Sequence, residues 1–203
     1  MVHGVDDERF PLAAAYLARL PDGIRSYPDA KIRGGLVQSI IMAHTLEARG
    51  ALPDVVCDWI DSPPVTSEWV PQVVARVLLR AYFDQVFRTR EAYLRWAYEA
   101  QKKTLSGPLY RVLFLGISPE RLARIAASRY AHFHAGLTMT VTRHAQGRAE
   151  AELTYPPLLC DGFDHQATLE GLRAGLELAG AKNVSGSATS TGETSARIEL
   201  VWA

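Results

Sequence analysis

Hydrophobic residues along this chain change their period once. Between Leu12 and Phe133 they recur three and four positions apart, the spacing of one helix face; from Leu137 they alternate, the spacing of one strand face. Residues 12–20 are dense in helix formers and stop at Pro21-Asp22-Gly23. Pro28 suits a first helical position, and Ile32, Leu36, Ile40, Ala43 and Glu47 trace one side of a second helix running to Arg49-Gly50. The Gly34-Gly35 pair costs that helix on the order of 1 kcal/mol per glycine relative to alanine, so either the helix begins after the pair or another segment packs very close. Residues 53–60 read as a short helix. Ser67 then caps a longer one carrying Val73, Val77 and Ala81 through Phe87, and Thr89 caps the next, with Tyr93, Trp96, Ala97 and Ala100 on one face. A short apolar helix follows over 108–115. Ser118-Pro119-Glu120 joins a serine cap, a first-turn proline and a carboxylate at the positive end of the helix dipole, and it starts a helix that Gly136 is placed to end.

In the second block Leu137, Met139, Val141 and Arg143 alternate with Thr138, Thr140 and Thr142, and after turn residues 144–147 the alternation resumes at Ala149, Ala151 and Leu153. A hairpin is the result. Pro156-Pro157 closes it, Asp164 offers a cap for a helix carrying Leu169, Leu172, Leu176 and Ala179, and Gly180 stops that helix. Two last strands, 183–189 and 195–202, flank Ser190-Thr191-Gly192-Glu193. The expected class is therefore α+β, with an N-terminal helical cap (1–117) packed on a C-terminal four-stranded antiparallel sheet. A helix plus a ββαββ module makes up 118–203, and the whole of 1–203 reads as a single domain without a flexible linker.

At 203 residues the chain is long enough to bury a core without staples. Lysine plus arginine and aspartate plus glutamate each number 22, so the footprint of a nucleic-acid binder is missing. With only Cys57 and Cys160, and no charged start followed by an apolar run at the N-terminus, the expected setting is reducing and cytoplasmic. The longest apolar runs fall far short of the roughly 20 residues of a membrane span.

Few residues carry recognisable chemistry. His132 and His134 flank Phe133 near a helix end; on an intact helix they would point about 200° apart and could not share a metal, although either could ligate a heme iron alone. His44 lies beside the apolar stripe of the second helix, where an imidazole is either a core group bonded to a carbonyl or a heme ligand. The lone cysteines read as core or loop residues, and the carboxylate pair Asp161/Asp164 reads as capping. There is no GxSxG, GxGxxG or GxxxxGK[ST] pattern and no metal-ligand spacing. Aromatic residues crowd the cap instead: Trp59, Trp69, Tyr82, Phe83, Phe87, Tyr93, Trp96, Tyr98, Tyr110 and Phe114. Most belong to a core, and such a cluster over a sheet suits an apolar pocket. The candidate ligand-binding set is Trp96, Tyr110, Phe114, Tyr130, His134 and His44, with no catalytic and no metal residues.

The segments YRVLFLGISPER (110–121), 130–136, LEGLRAGLELAGA (169–181) and the terminal Leu200-Val201-Trp202, with Tyr27-Pro28 and Trp69-Val70-Pro71 near the front, resemble a family of uncharacterised myxobacterial proteins about 200 residues long. More distantly, the helix ending in Ala-Gly-Ala, the strands after it and the final tryptophan are similar to the superfamily of heme-NO-binding domains, 4-vinyl-reductase domains and a Golgi-transport tethering subunit. That resemblance implies small-molecule sensing or scaffolding, usually in dimers. The Tyr-x-Ser-x-Arg motif of the heme-binding members is absent, the nearest piece being Ser128-Arg129-Tyr130 in another order, which disfavours heme without removing it.

The sequence thus points to a non-catalytic sensor or adaptor that binds an apolar small molecule or a partner protein. The alternatives are an enzyme with His132 or His134 as general base and a purely structural subunit. A symmetric homodimer is expected, burying the apolar face of 36–46. One consequence concerns the cap: its aromatic-rich helices carry side chains each worth roughly 1.5–3 kcal/mol when buried. A fragment 1–117 is therefore expected to aggregate or melt without cooperativity; a soluble, monodisperse fragment with a sharp calorimetric transition would show two independent domains.

Overall fold

A computed structural model of the chain describes residues 4–47, 50–107 and 116–203. The helix expected over 108–115, with Tyr110 and Phe114, lies outside the described residues. The chain divides into two compact units, Met1–Tyr93 and Leu94–Ala203.

In the first unit, α1 (Pro11–Ala18), a single turn at Gly23–Arg25, β1 (Lys31–Arg33), α2 (Gly35–Ala43), α3 (Asp54–Asp61), β2 (Trp69–Pro71) and α4 (Gln72–Tyr82) follow in order. Two predicted helices start later than their periodicity suggested. Lys31–Arg33 is extended and pairs antiparallel with β2, Ile32 opposite Val70, so α2 begins only at Gly35. Gly34 makes this possible: a Cβ there would stand 2.5 Å from the Val65 carbonyl oxygen. The Gly34 N–H donates to the Glu68 carbonyl, which ties the glycine turn to the segment leading into β2. For α4 the flanking cap is Pro71 rather than Ser67, because β2 consumes the residues between.

All eleven residues of α4 are buried, including Gln72, Arg76 and Arg80. Apolar positions at helical spacing suggested a one-faced helix; the polar face is buried too, and several of its groups make specific contacts. Gln72 Nε2 donates to the Lys31 carbonyl at 3.1 Å, Arg76 Nη2 donates to Gln72 Oε1 at 2.8 Å, and the Arg80 guanidinium lies 4.1 Å from the Tyr16 ring centre. Such contacts are what a buried guanidinium requires. After α4 one π-type turn, Phe83–Phe87, aims Asp84 at the start of α1, where it accepts from the N–H groups of Leu12 (3.1 Å) and Ala13 (3.2 Å) and satisfies two open helix donors. On α2, Val37 and Ile40 are fully buried, whereas Leu36 is half-buried and Met42 and Ala43 are exposed, so the face expected to seek a partner copy is covered in part.

α5 (Arg90–Ser106) is capped by Thr89 as predicted, Ala92 N–H donating to its hydroxyl. The second unit then holds α6 (Pro119–Ala131), the two-residue β3 (His134–Ala135), β4 (Thr138–Ala145), β5 (Arg148–Thr154), α7 (Gly162–Leu178), β6 (Ser185–Ser190) and β7 (Ser195–Val201). The four long strands form one antiparallel sheet in the order β4-β5-β7-β6. This is the ββαββ module read from the sequence, and the chain is α+β. Met139, Ala149, Ala151, Leu153, Ala196, Ile198 and Leu200 make the buried face, while Thr138, Thr140, Glu152, Thr154 and Arg197 stand on the exposed one. α6 lies against β4, and α7 against β6 and β7. The cap of α7 is Asp161, three residues earlier than its acidic partner: Asp161 accepts from Phe163 and Asp164 N–H groups, and Asp164 accepts back from Asp161 N–H.

Gly186 sets the closest approach in the sheet. A Cβ there would lie 2.2 Å from the Glu199 carbonyl oxygen and 3.1 Å from Leu169 and Leu200 methyls. Gly186→Ala is expected to cost about 1–3 kcal/mol, through forced displacement of β6 from β7, and thermal unfolding of the full chain measures it. An unchanged melting temperature would mean that the strands separate at no cost.

Candidate functional site

Of the six candidate residues, one falls in the first unit. His44 terminates α2 in an extended conformation, and its ring meets Phe87 edge-on at 5.1 Å and Tyr82 at 6.4 Å. The Tyr82 hydroxyl donates to the His44 carbonyl at 3.3 Å, and burial pushes Tyr82 up to about 12, so it stays a neutral donor. Phe87 and Phe83 each meet Tyr93 in edge-to-face contacts, at 5.7 and 6.0 Å. Part of the aromatic run in the sequence is therefore a packed cluster around His44.

In the second unit the structure brings Tyr130 and His134 together. α6 stops at Ala131, the chain turns, and the imidazole of His134 returns to stack on the Tyr130 ring with centroids 4.1 Å apart and planes 15° from parallel. Tyr130 is buried and His134 half-buried; Trp96 is half-buried on α5. His132 is exposed, and its Nδ1 lies 2.7 Å from the Ser128 carbonyl oxygen. A carbonyl only accepts, so Nδ1 carries the proton. The helix is already broken between His132 and His134, yet no group of three or more histidine, cysteine or carboxylate side chains among the described residues is placed to hold a metal.

Two polar features escaped sequence reasoning. The Tyr98 hydroxyl donates to Glu177 Oε2, Lys102 Nζ donates to Tyr98 at 2.9 Å, and Arg173 Nε donates to Glu177 Oε1 at 3.1 Å while its guanidinium lies 5.0 Å from the Tyr98 ring centre. The clasp joins α5 to α7. Its signals were present as Tyr98/Lys102 and Arg173/Glu177, each four apart on a helix. The pairing of the two helices could not be read from either alone. The other feature is an open cleft of about 460 Å³ lined by Glu120, Arg124, His144, Ala145 and Gln146. Trp202 Nε1 donates to Glu120 Oε1 at 3.3 Å beside it; the backbone N–H of Glu120 itself, then this bond and the Ser118 hydroxyl, hold its carboxyl below the usual carboxylate range.

No family model matches the chain, and no curated protein matches it. Solved structures do. An H-NOX protein studied for the function of heme distortion superposes with a TM-score of 0.56 at 13% identity, covering 84% of this chain and 95% of the other. A protein in which porphyrin distortion modulates heme redox potential gives 0.55 at 12%, covering 84% and 99%. An unliganded Fe(II) H-NOX protein from K. algicida gives 0.50 at 12%, covering 83% and 86%. The chain has an H-NOX-like fold. At such identity the likeness is one of architecture, and it agrees with the distant resemblance carried by the helix, strands and final tryptophan of the C-terminal module.

The fold neighbours raise the question of heme, and the histidines singled out in the sequence do not fit it. An axial imidazole needs a free approach along its Nε2 direction in an apolar chamber. His44 is packed into an aromatic cluster, His134 is stacked face to face on Tyr130, and His132, whose tautomer leaves Nε2 as the acceptor, stands in solvent.

The clasp makes a pH prediction. Burial raises the Glu177 pKa, but the Tyr98 hydroxyl, Arg173 and Lys102 together outweigh it and hold the group below its ordinary 4.5. A carboxylate lowered on folding contributes stability above its unfolded pKa and loses it as pH falls through the folded value. Tyr98→Phe removes a lowering partner, so the variant is expected to be less stable than the wild type near neutrality, by about 1 kcal/mol or less, with the difference shrinking as pH falls below 4.5; denaturant unfolding followed by circular dichroism across that range measures it. A stability difference that stays constant with pH would show that the clasp leaves Glu177 untouched.

Proposed function

We propose that this chain is a non-catalytic sensor or adaptor domain that uses an H-NOX-like architecture to bind an apolar small molecule or a protein partner, without heme. The observation that carries the proposal is the extent of the likeness: the superposition takes in nearly the whole of H-NOX proteins studied for heme distortion and for their activation, which supports the frame of a ligand-responsive domain. The candidate imidazoles of His44, His132 and His134 lie against protein rings or a carbonyl, and Asp161, Asp164 and Glu177 serve as a cap and a clasp, which supports a non-catalytic reading.

Within this proposal the Tyr130–His134 stack and the half-buried Trp96 are the side chains of the second unit that suit an apolar, flat ligand, since ring faces contribute dispersion and His134 adds one polar contact. His44 and its aromatic neighbours suit a structural role. No helix among the described residues is long and apolar enough to cross a membrane.

A thermal-shift screen of the full chain against fatty acids, apolar aromatics and tetrapyrroles tests the reading. A ligand present at about 100 times its Kd is worth roughly 2.7 kcal/mol and raises the melting temperature by several degrees. Tyr130→Ala is expected to abolish the shift given by the best apolar ligand. A shift that survives Tyr130→Ala and Trp96→Ala would place binding elsewhere, and stabilisation by no apolar compound would leave the domain as an adaptor for protein.

A further inference from the structure

We propose that β6 is the contact through which two copies of this chain pair, antiparallel and edge to edge, about a two-fold axis through Ala188. Among the described residues β6 is an outer strand with β7 as its partner in the sheet, and Ser185, Gly186, Ser187, Thr189 and Ser190 are exposed. Backbone direction alternates along a strand. Thr191 N–H donates to the Ser195 carbonyl, extending the β6–β7 ladder, so Ser185, Ser187 and Thr189 turn their amide groups towards β7. Gly186, Ala188 and Ser190 turn theirs outward. Gln166 Nε2 reaches the Ala188 carbonyl at 3.3 Å, as expected of an outward group, and a carbonyl oxygen keeps a second lone pair.

The two outer strands of the sheet are defended unequally. β4 has a register irregularity between Val141 and Arg143 and carries Arg143 and His144, the kinds of device that stop one sheet edge from adding to another. β6, with the sequence SGSATS, has no charge, no proline and an unbroken register over its six residues. An unguarded edge of this kind is a pairing surface.

A second copy is the occupant that fits. About an axis through Ala188, Gly186 meets Ser190 and Ser187 meets Thr189 of the other copy, so no like charges are opposed. Glu199 lies opposite Ser187, and Arg197 opposite Thr189, across the β6–β7 pair. The same axis therefore puts the Glu199 of one copy in a row with the Arg197 of the other, twice over. Arg148 also reaches Glu199, at 3.7 Å. A six-residue edge contact is small beside the roughly 1,000 Å² of a stable interface, so the pair is concentration-dependent.

Sedimentation equilibrium of the full chain over a wide concentration range tests this, with thermal melting as the check that each variant is folded. The wild type should rise from 22.4 kDa towards twice that mass. S187K/T189K, which sets like charges opposite each other across the axis, should weaken association about tenfold or more. S187K/T189E, which sets opposite charges there, should restore or exceed it. A wild type that stays monomeric at every concentration overturns the proposal, and so does equal association of the two double variants.

Discussion

One constraint governs the second unit: a four-stranded antiparallel sheet with one apolar face and one polar face must have the apolar one covered. α6 and α7 cover it, and the rest of the module follows from placing them. Asp161 and Asp164 fix where α7 starts, Gly186 lets Leu169 and Leu200 meet above β6, and Trp202 reaches back to Glu120 at the start of α6. Tyr98 and Lys102 on α5 then close over Arg173 and Glu177 on α7. Covering one face leaves two edges. The bulged, charged β4 and the plain β6 are two different answers to that remainder.

The first unit is governed differently. α4 is buried all round, which for a helix carrying two arginines demands partners from several directions. Tyr16 on α1 supplies an aromatic face to Arg80, Gln72 relays the Lys31 carbonyl to Arg76, and Asp84 reaches the open end of α1 from the turn beyond α4. The polar groups of α4 thereby specify which neighbours it can have, and the aromatic cluster of His44, Tyr82, Phe83, Phe87 and Tyr93 fills the space at its far end.

Local signals proved legible where one residue decides the outcome. Ser118 and Thr89 cap as their sequences indicate, period-two alternation from Leu137 onward locates β4 and β5, and the turn signal around Gly192 separates β6 from β7. Periodicity failed at 31–33 and 69–71, where two three-residue strands with α2 and α3 between them pair with each other; no helical or strand period is detectable over so short a stretch. The site was less legible. The sequence named Tyr130 and His134 but not their stacking, which depends on a chain reversal after α6, and it placed His44 on a helix that in fact ends one residue before it. The clasp and the cleft stayed hidden because each joins helices or turns distant in sequence, a relation that tertiary packing alone creates.

The central claim is that an H-NOX-like architecture here works without heme. Absorption spectroscopy of the full chain, produced with heme supplied and then titrated with hemin, addresses it most directly. The account predicts no Soret band in the purified protein and no saturable spectral change specific to a histidine-ligated iron. A stoichiometric Soret band, lost on replacing His44, His132 or His134, would contradict it.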